Sequence, residues 1–153
     1  MLAYMEIRRI AASDVDDVVQ LWNATKRDTY DFIALEQNRS VAEDAAFFRA
    51  RILARCSIWI ACEGSAVLGF LALEGSYVDR LYVHPREQRR GIGRALLTQA
   101  MELSPQGIEL HTHQKNAKAR AFYEKNGLRA VRFGVSPEPE SEPDVEYHWR
   151  PAR

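Results

Sequence analysis

Gln88, Gly91 and Gly93 follow a short apolar strand, Val78 to Val83, and lead directly into the helical pattern Arg94-Ala95-Leu96-Leu97. Two glycines two residues apart leave the backbone bare, so the N–H groups of the loop and of the first helical turn can converge beside the positive end of a helix. A phosphate or pyrophosphate is the ligand group that suits such a cradle. The loop is not a dinucleotide fingerprint, because the third small residue of that pattern is replaced by Leu96. No Gly-Lys-Ser/Thr closes it, which removes the Walker pattern as well. Arg86, Arg89, Arg90 and Arg94 crowd the same junction and would neutralise a phosphorylated ligand. Without the glycines, these arginines read equally well as a solvated helix start.

The run Leu81-Tyr82-Val83-His84-Pro85, followed by Gln88-x-x-Gly91-x-Gly93-x-x-Leu96-Leu97, resembles the acetyl-CoA signature of the GNAT superfamily of N-acyltransferases. Asn116 to Leu128 is similar to that superfamily's next block, an Asn…Ala…Phe-Tyr-x-x-x-Gly-Phe run, with Leu128 in place of the usual Phe. The resemblance spans Ala66 to about Phe133 well and the first sixty residues only in outline. It implies acetyl-CoA as cosubstrate. The main chain of Leu81, Tyr82 and Val83 would pair with the pantetheine arm as an added strand, with a bulge at this point and one amide polarising the thioester carbonyl. The backbone from Arg89 through Arg90, Gly91, Ile92 and Gly93 to Arg94 would hold the pyrophosphate, with Gln88 shaping the loop. Asn116 is either a contact to the pantetheine or a helix cap.

Direct acyl transfer needs a neutral amine for attack and a proton for the departing thiolate. The resemblance assigns the second role to Tyr123, since a phenol of pKa about 10 can share its proton with a thiolate of pKa about 8.5. Phe122 is assigned to the core. The base is less defined. Some histone-type relatives carry a glutamate six residues before the position of Val83, and here that position is Tyr77. Asp79 on the same strand and Glu74 at the end of the preceding one remain as carboxylate candidates, although Asp79 also suits a pairing with Arg80. His111 and His113 are the imidazole candidates, and strand alternation is expected to turn one of them away. With no third ligand at a suitable spacing, no metal is expected.

Family members take their acceptor specificity from the first helices and the last hairpin. Here these carry Trp22, Thr29, Tyr30 and Phe32 and the acidic run Glu138, Glu140, Glu142 and Asp144, which would suit a cationic amine. The plainer reading packs Trp22 inward and leaves the acidic segment as a solvated hairpin tip.

The elements that must position these residues are legible in outline. A strand at Met5 to Arg9 precedes a helix capped by Ser13 with Asp16, whose face is Val15, Val18, Val19 and Trp22. Thr25 to Arg39 reads as irregular. Ser40 with Glu43 forms a capping box opening a second helix, with Val41, Ala45, Phe48, Ile52 and Cys56 on one side. Ser57 to Cys62 and Ala66 to Glu74 read as a hairpin, Tyr77 to Val83 and Ile108 to His113 as strands joined by a helix from Gly93 to Leu103, and Asn116 to Asn126 as a helix ended by Gly127. Ala130 to Val135 and Val145 to Trp149 close the chain as a strand pair. This order matches an α/β GNAT-like fold: a mixed, mostly antiparallel sheet with parallel, splayed strands 4 and 5, flanked by about four helices.

The chain has 153 residues, 46% of them hydrophobic, which suits one domain over 1–153. Lys+Arg and Asp+Glu are both 21 and the isoelectric point is about 6.9, so no global basic field points to nucleic acid or an acidic membrane. The longest apolar run, Ala66 to Leu73, is interrupted by Gly69 and too short to span a bilayer. A cytoplasmic protein is expected, with Cys56 and Cys62 as small core residues in a reducing compartment. The function expected is direct acetyl transfer from acetyl-CoA to a primary amine of a small molecule or peptide, in a chain that forms a homodimer as superfamily members frequently do. The alternative is a CoA-binding sensor or scaffold without catalysis.

Overall fold

A computed structural model describes residues 4–152. Its strands are β1 (Met5–Arg9), β2 (Ser57–Glu63), β3 (Ala66–Glu74), β4 (Tyr77–Val83), β5 (Ile108–His113), β6 (Arg129–Val135) and β7 (Pro143–Trp149). They form one seven-stranded sheet in the order β1-β2-β3-β4-β5-β7-β6. Every neighbouring pair is antiparallel except β4 with β5. The helices are α1 (Val15–Thr29), α2 (Ala34–Gln37), α3 (Val41–Phe47), which continues through a π turn at Phe48–Ile52 into α4 (Leu53–Arg55), then α5 (Ile92–Leu103) and α6 (Ala117–Lys125). Among the described residues no helix is long and apolar enough to cross a membrane.

Alternation along the strands divides the core between the two faces of the sheet. On one face Val18 and Trp22 of α1, with Phe48 and Ile52, cover Ile60 and Phe70. On the other, Leu96 and Leu97 of α5 pack with Leu71, Leu110 and Tyr147. Each such side chain contributes about 1.5–3 kcal/mol on burial, and together they fix the sheet that carries the site.

Two features of β4 come from its neighbour. Leu73 opposes Val78 and Ala72 opposes Arg80, so Asp79 is the extra residue of a β-bulge. The bulge switches the side-chain alternation: Val78 faces the α5 side, whereas Tyr82 packs on the α1 side. Gly69 is required because a Cβ there would sit 2.6 Å from the Tyr82 carbonyl oxygen.

Several local expectations change. Ser13 and Asp16 do not cap α1. Asp14 holds the N-cap position without a side-chain bond to the helix, and its carboxylate instead accepts from the Ala11 amide at 2.7 Å and from Arg8 at 2.8 Å, fixing the turn that leads into α1. The stretch expected to be irregular is largely the second half of α1 and the short α2. Its helical period is hidden because the inward position is Lys26, 3% exposed, rather than an apolar residue. The Ser40–Glu43 capping box forms as expected. Val41 is nevertheless 44% exposed, because the inward place in that turn belongs to Asp44, fully buried against Asn23, Lys26 and Arg39. Helix α6 ends as its sequence predicts. Gly127 has φ +90°, the Leu128 amide donates to Tyr123 and the Gly127 amide to Glu124, and Leu128 is buried, which is a Schellman cap with its apolar contact.

Candidate active site

Strands β4 and β5 pair only at Tyr77 and Glu109, although they are seven and six residues long. Beyond that point they part, and β5 pairs along its whole length with β7 instead. The gap opens into a cleft of about 2180 Å³, lined by both strands, the end of α1, the start of α5, α6 and the segment leading into β7.

At one end of the cleft lies the glycine loop. Gly91, at φ +85°, is the N-cap of α5, and Arg89 is also left-handed at φ +67°. The Gln88 side-chain amide donates to the Val83 carbonyl at 3.1 Å, tying the loop to β4. The first intrahelical bond runs from the Ala95 amide to Gly91, so the amides of Ile92, Gly93 and Arg94 have no helical acceptor. A Cβ on Gly93 would meet the Phe122 ring at 3.2 Å and Val83 at 3.6 Å, which explains why strand, α5 and α6 can converge there. Such a row of free amides at a helix start is an anion cradle.

The charges around it are fewer than the sequence suggested. Arg89 and Arg94 line the cleft. Arg90 is paired with Glu87 and with Glu63, and neither it nor Arg86 lines the cleft. Ile92 is a core side chain, 1% exposed, and offers a ligand only its main chain. Leu81, Tyr82 and Val83 run along the opening. Asn116 is the N-cap of α6, accepting from the Ala119 amide at 3.1 Å, and it lines the cleft as well.

Tyr123 projects from α6 into the cleft and is 8% exposed. Burial first, and then the neighbouring phenols of Tyr82 and Tyr77, push its pKa well above that of an ordinary phenol, making it a weaker acid. It is therefore held protonated near neutral pH and acts as a hydrogen-bond donor; full transfer of its proton to a thiolate of pKa about 8.5 is uphill. Phe122 packs edge-on to Tyr123 with ring centroids 5.3 Å apart.

The candidate bases separate by place. Glu74 is exposed at the end of β3 and lies against a small secondary pocket, outside the large cleft. Asp79 lines the cleft but lies 3.3 Å from the Arg80 Nε. Both His111 and His113 line the cleft, and the expectation that one turns away fails because residues two apart on a strand share a face. His111 Nδ1 lies 2.9 Å from the Tyr77 hydroxyl. His113 sits edge-on to Tyr30, with centroids 4.9 Å apart, and Phe32, and its Nε2 is 3.6 Å from Glu140. No group of three or more His, Cys, Asp or Glu side chains among the described residues is placed to hold a metal ion.

The other half of the cleft is aromatic and charged. Thr29, Tyr30 and Phe32 line it, and the Tyr30 hydroxyl is 3.4 Å from that of Tyr82. Burial first, then Tyr82, raises the Tyr30 phenol well above its usual range. Trp22 is 2% exposed, with the Lys26 ammonium 3.9 Å and the Arg80 guanidinium 5.4 Å from its ring centroid. Of the acidic run, Glu140 and Asp144 reach the cleft, joined by Glu146, while Glu142 pairs with Lys115 and Glu138 is exposed elsewhere. Sequence reasoning missed Glu146, Arg80 and the Lys26–Asp44 pair. What was missed is the long-range part of each: Glu146 with His111 and Arg132, Arg80 over the Trp22 ring, and Lys26 with Asp44, none of which a local spacing announces.

A family model described as an acetyltransferase (GNAT) domain matches residues 54–129, the segment that holds β4, the glycine loop and α6. The peptidyl-lysine N-acetyltransferase YjaB of Salmonella typhimurium is 26% identical over 128 residues, covering 83% of this chain and 85% of that protein. The solution structure of apo YjaB from Escherichia coli superposes with TM-score 0.79 at 25% identity, covering 97% of this chain and 99% of the other. The structure of yncA, a putative acetyltransferase from Salmonella typhimurium with acetyl-CoA, gives TM-score 0.73 at 16% identity over 96% of this chain and 94% of that one. Its likeness is one of fold. With the splayed parallel strands, the open helix start and both motif blocks in place, the chain belongs to the GNAT superfamily of acetyltransferases.

Proposed function

We propose that the protein transfers the acetyl group of acetyl-CoA directly to a primary amine, and that the acceptor is a cationic amine of the lysine side-chain kind, carried by a peptide or small molecule. The observation that carries the reading is the single cleft that joins the free amides of Ile92 to Arg94 at one end to Tyr123 and an aromatic, acidic wall at the other. In this reading the amides of the loop and of α5 hold the pyrophosphate, with Arg89 and Arg94 beside it. The main chain of Leu81 to Val83, freed from β5 by the splay, pairs with the pantetheine amides, and Asn116 contacts the same arm. Tyr123 donates a hydrogen bond to the sulfur as its bond to the acyl carbon breaks.

The acceptor side follows from charge. Glu140, Asp144 and Glu146 line the same cleft as Tyr30 and Phe32, and carboxylates with aromatic faces attract an alkylammonium group. The similarity to a peptidyl-lysine N-acetyltransferase supports the same class. The reading includes a cytoplasmic location, neither nucleic acid nor membrane as partner, and a homodimer. Edge strand β6, exposed along its whole length and carrying Val131, Phe133 and Val135, supports the homodimer.

The test is incubation with acetyl-CoA and a panel of amines that includes lysine peptides, read as release of free thiol. Turnover on at least one amine is expected. Tight CoA binding with no transfer to any amine would favour a sensor or scaffold instead.

A further inference from the structure

Among the described residues, the hydrogen bond between Tyr77 and His111 is the only polar link across the splayed gap between β4 and β5 that involves a group able to hold an extra proton near neutral pH. Both side chains line the cleft, with ring centroids 5.7 Å apart. The direction of the bond follows from its surroundings. Glu146, opposite His111 on β7, places Oε1 3.8 Å from His111 Nε2. A carboxylate there favours the tautomer with its proton on Nε2, which leaves Nδ1 as the acceptor and the Tyr77 hydroxyl as the donor. The phenol's remaining lone pairs then stay free for a donor in the cleft. Burial first, then Asp79, raises Tyr77 to about 12, so the phenol is not itself the resting base. It passes a proton on.

We infer that Tyr77 and His111 form a proton relay that deprotonates the acceptor ammonium before attack on the thioester. An ammonium N–H bond breaks as the Tyr77 oxygen takes that proton. The Tyr77 O–H bond breaks in the same step as its proton forms a bond to His111 Nδ1. The products are a neutral amine, an unchanged phenol and an imidazolium. The His111 side chain is 42% exposed, so the imidazolium returns its proton to solvent. A base is needed here because an alkylammonium of pKa about 10.4 leaves only on the order of one molecule in a thousand as free amine near pH 7.

The charged groups around the relay come from four strands. Tyr77 and Asp79 lie on β4, and His113 is on β5 with His111. Asp144, Glu146 and His148 lie on β7, and Arg132 on β6 pairs with Glu146 at 2.8 Å. Glu146 also contacts His148 at 2.6 Å. That hydrogen bond from His148 first, followed by Arg132 and His111, holds the Glu146 carboxyl below its usual range, so it is an anion near neutral pH. Asp79 is the rival base, and its pairing with Arg80 argues for the histidine.

The inference rests on the amine-acetylation reading, and its test separates the two. The pH dependence of kcat/KM is measured with acetyl-CoA and a lysine peptide for the wild-type protein, His111→Gln, Tyr77→Phe and Asp79→Asn, with thermal melts to check folding. Wild-type kcat/KM is expected to rise through one ionisation in the interval where imidazoles titrate. His111→Gln and Tyr77→Phe should each lose that limb and about 10²-fold or more in rate at pH 7, with rates climbing toward the amine's own titration. Imidazole nitrogen shifts should report the Nε2–H tautomer of His111 in the wild-type protein, a readout independent of turnover. Turnover with an unaltered limb in His111→Gln, its loss in Asp79→Asn alone, or a proton on Nδ1 in the wild-type protein each overturns the relay. No wild-type turnover on any amine overturns the acetylation reading, and the relay with it.

Discussion

Tyr123 is buried yet open to the cleft, and its raised pKa, which keeps the phenol protonated, sets what it can do. A protonated phenol beside a departing thiolate supplies a charge-assisted hydrogen bond worth about 1.5–3 kcal/mol. Tyr123→Phe should therefore lower kcat by roughly 10- to 100-fold with CoA affinity nearly unchanged, which steady-state kinetics beside calorimetric CoA titration would show. Unchanged kcat would remove Tyr123 from the acid role. Gly91 makes a different prediction. Its φ of +85° is left-handed, where an alanine costs about 1–2 kcal/mol, so Gly91→Ala should cost about that much stability in urea and weaken CoA binding by tilting the loop amides. The glycine loop at the strand–helix junction is legible in the sequence because local spacing dictates it, whereas the role proposed for Tyr123 is what the motif resemblance implies. The Tyr77–His111 contact is not legible there, since it joins residues 34 apart.

At the scale of elements, strand and helix order is legible wherever apolar residues recur with a period, and fails where polar residues are buried. The second half of α1 is the clear case. Lys26 is inward-facing and paired at 2.8 Å with both Glu36 and Asp44, and Asp44 also accepts from Asn23 and Arg39. No hydropathy pattern shows such a helix face. Asp44→Ala would leave the buried Lys26 ammonium with Glu36 alone and take from Asn23 and Arg39 their shared acceptor, and should cost about 3–5 kcal/mol in equilibrium unfolding. A cost below about 1 kcal/mol would show that water reaches Lys26. Where α1 begins, the Arg8 hydrogen bond first, helped by the Ala11 amide, holds the Asp14 carboxyl below its usual range. A carboxyl depressed in the folded state contributes stability that is present above its unfolded pKa of about 3.9 and is lost as pH falls through the lower folded value. Asp14→Asn should lower stability at neutral pH and flatten its fall between about pH 4 and 2, as urea titrations across that range would report.

Across the whole molecule, the sheet is divided between two tasks. Strands β1 to β4 form a continuous antiparallel platform, while β5, β7 and β6 form a second one, and the cleft is the seam between them. The donor half of the seam follows from two motif blocks that can be read in the sequence. The half proposed for the acceptor is lined by α1, β5 and the segment before β7, which only folding brings together, so no local motif announces it. The exposed strand β6 belongs to the same scale. If a second copy covers it, Phe133→Lys should shift the protein from dimer to monomer in sedimentation equilibrium without changing CoA affinity. The central claim is that this seam carries an acetyl group from acetyl-CoA to an amine, and the most direct test is to follow thiol release and the acetylated product together with a lysine peptide. Equal amounts of free CoA and acetyl-peptide, formed together and lost on charge reversal at Glu140 and Asp144, are the predicted result. Thiol release without an acetylated amine, or CoA bound and never turned over, would contradict it.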